Sequence, residues 1–188
     1  MHIVFIGPPG AGKGTQCRRL SQWLKIPHLS TGEILRDTRE NTSLGKVISS
    51  YIDSGQLVPD YMVMRLVTKQ LESDPKAEQG CLFDGFPRTV MQVDLLDEYL
   101  AKQNQSIDLV LSLEVHEDIL MGRLMERAET ENRKDDHEDA IRARFEIFRS
   151  LSAPIIQRYA QRGIVRQIDG AQPPDAVFAA ISAELQSN

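Results

Sequence analysis

Short apolar segments alternate along most of the chain with longer stretches whose apolar residues recur every three or four positions. The short segments predict β-strands at 2–6, 27–29, 81–83, 107–115 and 164–168. The periodic stretches predict helices at 13–24, 88–101, 117–127, 137–149, 151–162 and 174–186, the last of which follows a proline pair. Strands that alternate with helices in this way indicate an α/β fold built on a parallel sheet.

Two segments do not follow this alternation. Between the second and third predicted strands, about fifty residues predict three short helices, at 31–40, 43–54 and 60–72, which is too long for a simple crossover. They therefore indicate a helical subdomain inserted beside the sheet. The second segment, 128-AETENRKDD-136, is polar and has almost no apolar anchors, so its composition alone favours a solvated turn between helices.

The overall composition limits the classes of protein to which the chain can belong. A chain of 188 residues with 41% hydrophobic content predicts one domain, or one core with modest insertions. No apolar run approaches the roughly 20 residues that a membrane span needs, and the N-terminus lacks a signal-peptide pattern, so we expect a cytoplasmic protein without a membrane partner. Cys17 and Cys81 have no metal-ligand spacing and are expected to be small core residues. The four histidines form neither a ligand set nor a triad.

The charge of the chain bears on its partners. A net charge of −5 argues against a general nucleic-acid binder. Arginine nevertheless accounts for 15 of the 22 basic residues, and its planar fork suits bidentate recognition of phosphate. Surface ion pairs would explain the same bias, so composition leaves a local anion site as one of two interpretations.

A glycine-rich turn, 7-GPPGAGKGT-15, follows the first predicted strand and precedes the first predicted helix. This is the context of a phosphate-binding loop, in which glycines expose successive N–H groups and the helix adds its positive dipole. Lys13 can then reach the outer phosphates, and the two prolines limit the N–H donors to residues 10–15. The common loop places a hydroxyl residue for magnesium directly after the lysine, but here Gly14 takes that place and Thr15 follows one position late.

A second cluster, 81-CLFDGFPRT-89, delivers Asp84 at the C-terminal end of a predicted strand, where ligands of open α/β sheets bind. An acid at this place can organise the water shell of magnesium, and Arg88 can hold a phosphate. An ordinary Asp-Gly turn is the alternative. The phosphate loop earlier in the chain favours the ligand site.

A third cluster surrounds the polar segment. Its five arginines either bind an anion or form i,i+4 ion pairs with nearby glutamates. The arginines are Arg123, Arg127, Arg133, Arg142 and Arg144, and the glutamates are Glu126, Glu129, Glu131 and Glu138. For Arg142 and for the later Arg149, surface ion pairing is the preferred interpretation.

Taken together, these motifs resemble the adenylate kinases in their short-lid form. The matching stretches are 7-GPPGAGKGTQ-16, 30-STGEILR-36, 54-SGQLVPD-60, 83-FDGFPRT-89 with Gln92, and 127-RAETENRKDD-136 followed by 141-IRARF-145. The resemblance implies a P-loop NTPase-type five-stranded parallel sheet flanked by helices. It divides the single kinase chain into a core (1–29, 60–125 and 137–188), an AMP-binding insertion (30–59) and a short lid (126–136).

The resemblance also implies a set of site residues. Those for ATP are Gly10, Ala11, Gly12, Lys13, Gly14, Thr15, Arg123, Arg127 and Gln172. Those for AMP are Thr31, Arg36, Gln56, Leu57, Val58, Gly85, Phe86, Pro87, Arg88, Gln92, Arg133 and Arg144. The catalytic residues are Lys13, Arg88, Arg127, Arg133 and Arg144. Arg123 would stack on the ATP adenine, and the amide of Gln92, which both donates and accepts, would recognise the adenine of AMP.

The implied reaction is the reversible conversion of Mg·ATP and AMP into Mg·ADP and ADP. A general base is not required, because the attacking AMP phosphate, with a second pKa of about 6, is already anionic near neutral pH. Asp84 would hold magnesium through water, and Thr15 would contact a phosphate. Because the lid contains no cysteine, no zinc is expected. The implied partners are ATP, AMP and ADP, with the protein acting as a monomer. Asp135 and Asp136 would either latch the closed lid or be solvated acids of a turn.

One departure and two alternatives remain. Asn132 stands where short lids often have glycine, and asparagine tolerates the left-handed backbone that such a turn needs. A kinase for UMP or CMP is the nearest alternative, against which Thr31, Thr89 and Gln92 favour adenine by resemblance. A regulatory nucleotide-binding module without catalysis is the other, and the lid arginines argue against it.

Overall fold

The computed structural model describes residues 1–41, 45–54, 56–130 and 137–186. Five strands are present in this part of the chain: β1 (His2–Ile6), β2 (His28–Ser30), β3 (Cys81–Asp84), β4 (Leu109–Glu114) and β5 (Val165–Asp169). The α-helices are α1 (Lys13–Leu24), α2 (Thr31–Asn41), α3 (Gly45–Asp53), α4 (Asp60–Ser73), α5 (Val90–Ala101), α6 (Glu117–Thr130), α7 (Glu138–Ala160) and α8 (Pro174–Gln186).

The five strands form one parallel sheet in the order β2-β3-β1-β4-β5, which confirms the predicted fold class. The central strand β1 is buried on both faces, as parallel strands covered by helices must be. Val4 and Ile6 pack into one apolar cluster, whereas Ile3 and Phe5 pack into the other. This double burial explains why the strands appear in the sequence as continuous apolar runs.

The register of the sheet determines where its loops meet. Asp84 at the end of β3 pairs with Phe5 of β1 on one side and with Ser30 of β2 on the other. Since all strands are parallel, the turns that follow β1, β2 and β3 leave from the same edge. The phosphate-loop segment and the Asp84 segment are therefore neighbours in space.

The predicted helical insertion is present between β2 and β3. It consists of α2, α3 and α4, followed by a short 3-10 helix, Pro75–Glu78, that the sequence pattern did not predict. Arg39 of α2 donates to Asp53 at the end of α3, with 2.7 Å between Nη1 and Oδ1, and this ion pair joins the two helices. The start of α4 at Asp60 agrees with the prediction.

The prediction of two helices at 137–149 and 151–162 is wrong, because α7 runs without a break from Glu138 to Ala160. Pro154 lies inside it and cannot donate to the carbonyl of Ser150, but both residues are on the exposed side. The buried side continues through the break, from Ile141 and Phe145 to Ile155 and beyond. Packing of this stripe on the core compensates for the lost hydrogen bond.

The helix α6 continues to Thr130, so the first residues of the segment predicted as a lid are its last turn. Residues 131–136, with Arg133, Asp135 and Asp136, lie outside the described residues. In the part of the chain that is described, no helix combines the length and the apolar character needed to cross a bilayer.

Candidate active site

A cavity of about 700 Å³ opens at the carboxyl edge of the sheet. Its walls come from the turn after β1, the insertion, the turn after β3, helices α6 and α7, and the loop after β5. The predicted site residues that line it are Gly10, Ala11, Gly12, Lys13, Gly14, Thr15, Thr31, Arg36, Gln56, Leu57, Val58, Asp84, Gly85, Pro87, Arg88, Gln92, Arg123, Arg127, Arg144 and Gln172. Phe86 does not line it, since its ring is fully buried against Phe83, with 6.5 Å between the centroids.

The turn after β1 has the geometry of an anion cradle. Gly12 precedes α1 with φ of 90°, a left-handed conformation that glycine adopts without strain. The N–H groups of the first turn of α1 lack acceptors within the helix, and they begin at Lys13 on the cavity side. The Lys13 ammonium folds back onto the loop and donates to the carbonyls of Gly7 at 2.7 Å and Pro8 at 2.9 Å. The loop thus holds its own cation beside a row of backbone donors.

The charges of Lys13 and Asp84 each shift the pKa of the other group. Burial lowers the pKa of Lys13 to about 8, although the Asp84 charge acts in the opposite direction. Burial alone would raise the pKa of Asp84. The hydrogen bond with His28 and the charges of Lys13 and Arg88 outweigh that effect, and the pKa of Asp84 is lowered. Asp84 is therefore a carboxylate near neutral pH.

The position of Asp84 also bears on the missing hydroxyl in the loop. A Cβ built on Gly14 would lie 3.3 Å from Oδ2 of Asp84, which is closer than most side-chain contacts. Serine or threonine at position 14 would therefore crowd the carboxylate. One carboxylate beside a phosphate cradle is a donor set that fits magnesium, which takes one or two carboxylates and completes its shell with water and phosphate. The residues present thus fit a magnesium ion held through Asp84.

Two side chains, His28 and Cys17, lie beside the Asp84 carboxylate. Nε2 of His28 lies 3.4 Å from Oδ2 of Asp84, and Sγ of Cys17 completes a group of donor atoms within 4.8 Å of one another. Sequence spacing did not reveal this group, because its members come from α1, β2 and β3. Burial raises the pKa of the Cys17 thiol well above its ordinary value, so the thiol stays protonated. Cys17 and Cys81 are both free and buried, which confirms the prediction of core cysteines.

Helix α6 packs directly on the phosphate loop because Gly10 has no side chain. A Cβ at Gly10 would lie 3.0 Å from Cγ of Leu124, and φ of Gly10 is +81°. This close approach brings Arg123 and Arg127, four residues apart and therefore on one face of α6, to the cavity. The guanidinium of Arg123 donates to the carbonyls of Gly170 at 3.0 Å and Ala171 at 3.2 Å.

The loop after β5, residues 170–172, is organised by Asp169, the last residue of β5 and one that sequence reasoning missed. Its carboxylate accepts from the backbone N–H of Ala171 at 2.9 Å and from Nε2 of Gln172 at 2.8 Å. An acid directly before Gly170 is the only local signal for this role. The loop presents Gly170 and Gln172 at the rim of the cavity.

The turn after β3 brings Arg88 back over the sheet edge. Gly85 has φ of 74°, and a Cβ there would lie 2.9 Å from both the Arg88 guanidinium and the Thr31 hydroxyl. Without that Cβ, Arg88 Nε donates to the Gly85 carbonyl at 2.7 Å, and the Thr31 hydroxyl donates to the same carbonyl at 2.8 Å.

The charges around Arg88 show what the turn is suited to bind. Burial lowers the pKa of Arg88, Asp84 acts against this, and the charges of Arg144 and Arg36 lower it further. The guanidinium remains protonated at physiological pH, because an arginine pKa lies far above that range. Three clustered cations at this place favour an anion in the cavity.

Gln92, on α5, is buried with 2% of its surface exposed, and its amide is held on both sides. Oε1 accepts from the backbone N–H of Arg88 at 2.7 Å, and Nε2 donates to Oδ1 of Asp60 at 2.8 Å. Asp60 was not among the predicted site residues. As the first residue of α4 it has the appearance of an ordinary acid at a helix N-terminus, so the sequence carried no distinct signal for it.

Helix α7 adds an apolar wall that sequence reasoning also missed. Ile147, Phe148, Leu151 and Ile155 line the cavity beside Arg144. The spacing 144, 148, 151, 155 is that of one helix face, and it could have revealed the wall once α7 was treated as continuous.

Two arginines near the cavity have ordinary partners on the surface. Nη2 of Arg142 lies 2.6 Å from Oε1 of Glu138, and Nη1 of Arg149 lies 3.0 Å from Oε2 of Glu117 on α6. The predicted ion pairing is confirmed for both, although the partner of Arg149 lies on another helix.

Comparison with known proteins gives one consistent answer. The family model described as "Adenylate kinase" matches residues 5–164. An adenylate kinase of Rhodopirellula baltica is 46% identical over 181 residues, which is 96% of this chain and 93% of the relative. An adenylate kinase 1 of a Nostoc species is 45% identical over 98% of both chains, and an adenylate kinase of Thermus thermophilus is 42% identical over 97% of this chain and 96% of the relative.

Proposed function

The chain belongs to the adenylate kinase family, and from that premise we propose that it is a nucleoside monophosphate kinase that transfers the γ-phosphoryl group of ATP to AMP. The observation that carries the proposal is a single cavity that joins an anion cradle to a second cluster of cations. A protein that only bound ATP would need the first of these features and not the second.

We assign the two nucleotides to opposite ends of the cavity. ATP occupies the phosphate loop, with its adenine against the surface that Arg123 and the loop at 170–172 form together. AMP occupies the insertion, 30–59, and the turn after β3, with its phosphate near Arg36 and Arg88 and its base at Gln92. The close contact between Gly10 and α6 supports this assignment, because it brings Arg123 and the phosphate loop together.

The reaction forms a bond from a phosphate oxygen of AMP to the γ-phosphorus and breaks the bond from that phosphorus to the bridging oxygen of ATP. The electron pair of the broken bond stays on the β-phosphate of the departing ADP. The attacking oxygen is anionic near neutral pH, so the step needs no base.

The chain's own contribution is position and charge. Lys13, Arg88, Arg127 and Arg144 surround the place between the two nucleotides and stabilise the negative charge on the equatorial oxygens of the moving group. When bound with ATP, Mg²⁺ supplies further neutralisation of the β- and γ-phosphates, and Asp84 is the residue that would hold it through water. The Thr15 side chain is left to contact a phosphate.

Some parts of the proposal rest on the sequence alone. The lid at 126–136 and the role of Arg133 stay predictions, since residues 131–136 are outside the described part of the chain. The monomeric state and the cytoplasmic location are likewise part of the proposal, and the free, buried state of both cysteines is compatible with a reducing compartment.

The decisive experiment measures ADP formation in a coupled assay with ATP and, in turn, AMP, UMP, CMP or GMP. We expect AMP to give the highest kcat/KM, and an equal or higher value with a pyrimidine monophosphate would contradict the assignment. Lys13→Met should abolish turnover and leave the circular dichroism spectrum unchanged. Lys69→Met, on an exposed position of α4, is the matched control and should retain full activity.

A further inference from the structure

The orientation of the Gln92 amide is dictated by its two neighbours. The backbone N–H of Arg88 can only donate, so it requires Oε1 on its side. The carboxylate of Asp60 accepts at both of its oxygens, so it requires Nε2 on the other side. A rotation of the amide by half a turn would place donor against donor and acceptor against acceptor.

The Asp60 carboxylate is itself fixed. Its second oxygen, Oδ2, accepts from the hydroxyl of Thr89 at 3.0 Å. The Thr89 oxygen in turn caps α5 by accepting from the backbone N–H of Gln92 at 3.1 Å. Asp60, Thr89 and Gln92 therefore form a closed ring of hydrogen bonds, and the backbone N–H of Arg88 joins it at Oε1 of Gln92.

The ring leaves the amide one lone pair on Oε1 and one hydrogen on Nε2 for a base. Adenine presents an amino donor at position 6 beside a ring acceptor, and this pattern matches the amide as it is held. Hypoxanthine and guanine present an oxygen at position 6 beside an N–H donor on their Watson–Crick edge. They would match only an amide turned the other way.

We propose that Asp60 is a specificity-determining positioning residue: its acceptor-only carboxylate locks the Gln92 amide in the orientation that accepts a 6-aminopurine monophosphate and rejects a 6-oxopurine monophosphate. The inference rests on the proposed function, in which Gln92 faces the base of AMP. Asp60 acts through Gln92 and has no role in the chemical step.

The test replaces Asp60 by a residue of nearly the same shape that can both donate and accept. In Asp60→Asn, the new amide can present either of its groups, so the constraint from this side is lost and only the Arg88 N–H still favours the native orientation of the Gln92 amide. The probes are AMP and IMP with saturating ATP, because IMP differs from AMP only by the oxygen and the N–H that reverse the pattern. We expect the ratio of kcat/KM for AMP to that for IMP to fall by about tenfold or more, mainly through the KM values.

Two further variants separate positioning from simple support of the fold. Asp60→Ser keeps a residue that is favoured at helix N-termini, and it should lower the same ratio. Asp118→Asn removes an exposed acid from the first turn of α6 and should leave the ratio unchanged. Melting temperatures of all variants are measured alongside the kinetics.

The outcomes are distinct. An equal loss of activity toward AMP and IMP in both Asp60 variants, with the ratio unchanged, would overturn the inference and leave Asp60 a structural residue. A wild-type protein that uses AMP and IMP equally well would overturn it too. A wild-type protein that phosphorylates no nucleoside monophosphate would instead refute the proposed function on which the inference depends.

Discussion

The lowered pKa of Lys13 predicts that ATP binding takes up a proton above pH 8. In the free protein, burial holds this pKa at about 8 instead of the usual 10.5. At pH 8.5 about three quarters of the Lys13 side chains are therefore neutral, whereas at pH 7 about one tenth are. Phosphate oxygens beside the ammonium favour its charged form and raise its pKa. Binding should then take up about 0.7 proton per ATP at pH 8.5 and about 0.1 at pH 7.

The sign of the effect on affinity follows from the same linkage. Because the complex holds more protons than the free protein, ATP binding weakens as the pH rises through about 8. Isothermal titration calorimetry in two buffers of different ionisation enthalpy, at one pH, gives the number of protons directly. EDTA is included so that no metal contributes, and ATP itself is almost fully deprotonated at pH 8.5.

Lys13→Met is the control, since it removes the titrating group and leaves the loop backbone. We expect proton uptake at pH 8.5 to fall close to zero in this variant, with weaker binding that no longer depends on pH in this range. Uptake below about 0.2 proton in the wild-type protein, or equal uptake in wild type and variant, would refute the assignment of this titration to Lys13.

Three further predictions test other parts of the molecule. Arg36→Ala should raise the KM for AMP about tenfold or more with little change in the KM for ATP, because a charged hydrogen bond to phosphate is lost; an effect confined to ATP would contradict the assignment of the two ends. Arg142→Ala should leave kcat/KM unchanged and shift the melting temperature by less than about 2 °C, since its pair with Glu138 is exposed; a large loss of activity would imply a functional role. Leu111→Ala, at a fully buried position of β4, should cost about 2–5 kcal/mol in urea unfolding, and a cost below about 1 kcal/mol would mean that the strand packs less tightly than described.

Much of the fold was predictable because strands covered on both faces leave a direct mark on the sequence. The run 3-IVFI-6 predicts a buried strand whichever neighbours it has, since every side chain must be apolar. The continuity of α7 was not predictable in the same way. The sequence pattern was divided at position 150, and only the packing of Phe145 and Ile155 on the core decides that the helix continues.

The candidate site likewise contains residues that the sequence predicted and residues that it did not. The phosphate loop was predictable because its donors, its glycines and Lys13 lie within nine consecutive residues, 7–15, and chain geometry alone brings them together. Asp169 was missed, because an acid before a glycine has many ordinary uses and its effect depends on the loop it organises.

The sequence by itself determined the alternation of strands and helices, the phosphate loop and the family to which the chain belongs, because these depend on residue types at short, regular spacing. Only the tertiary structure decided which distant side chains meet. It brought Asp60 to Gln92, Gly14 against Asp84, and Cys17 beside His28. The hydrogen bonds and close contacts of these pairs join separate elements, and no periodicity along the chain records them. The tight contact that a side chain at position 14 would make with the carboxylate of Asp84 is likewise visible only in the fold.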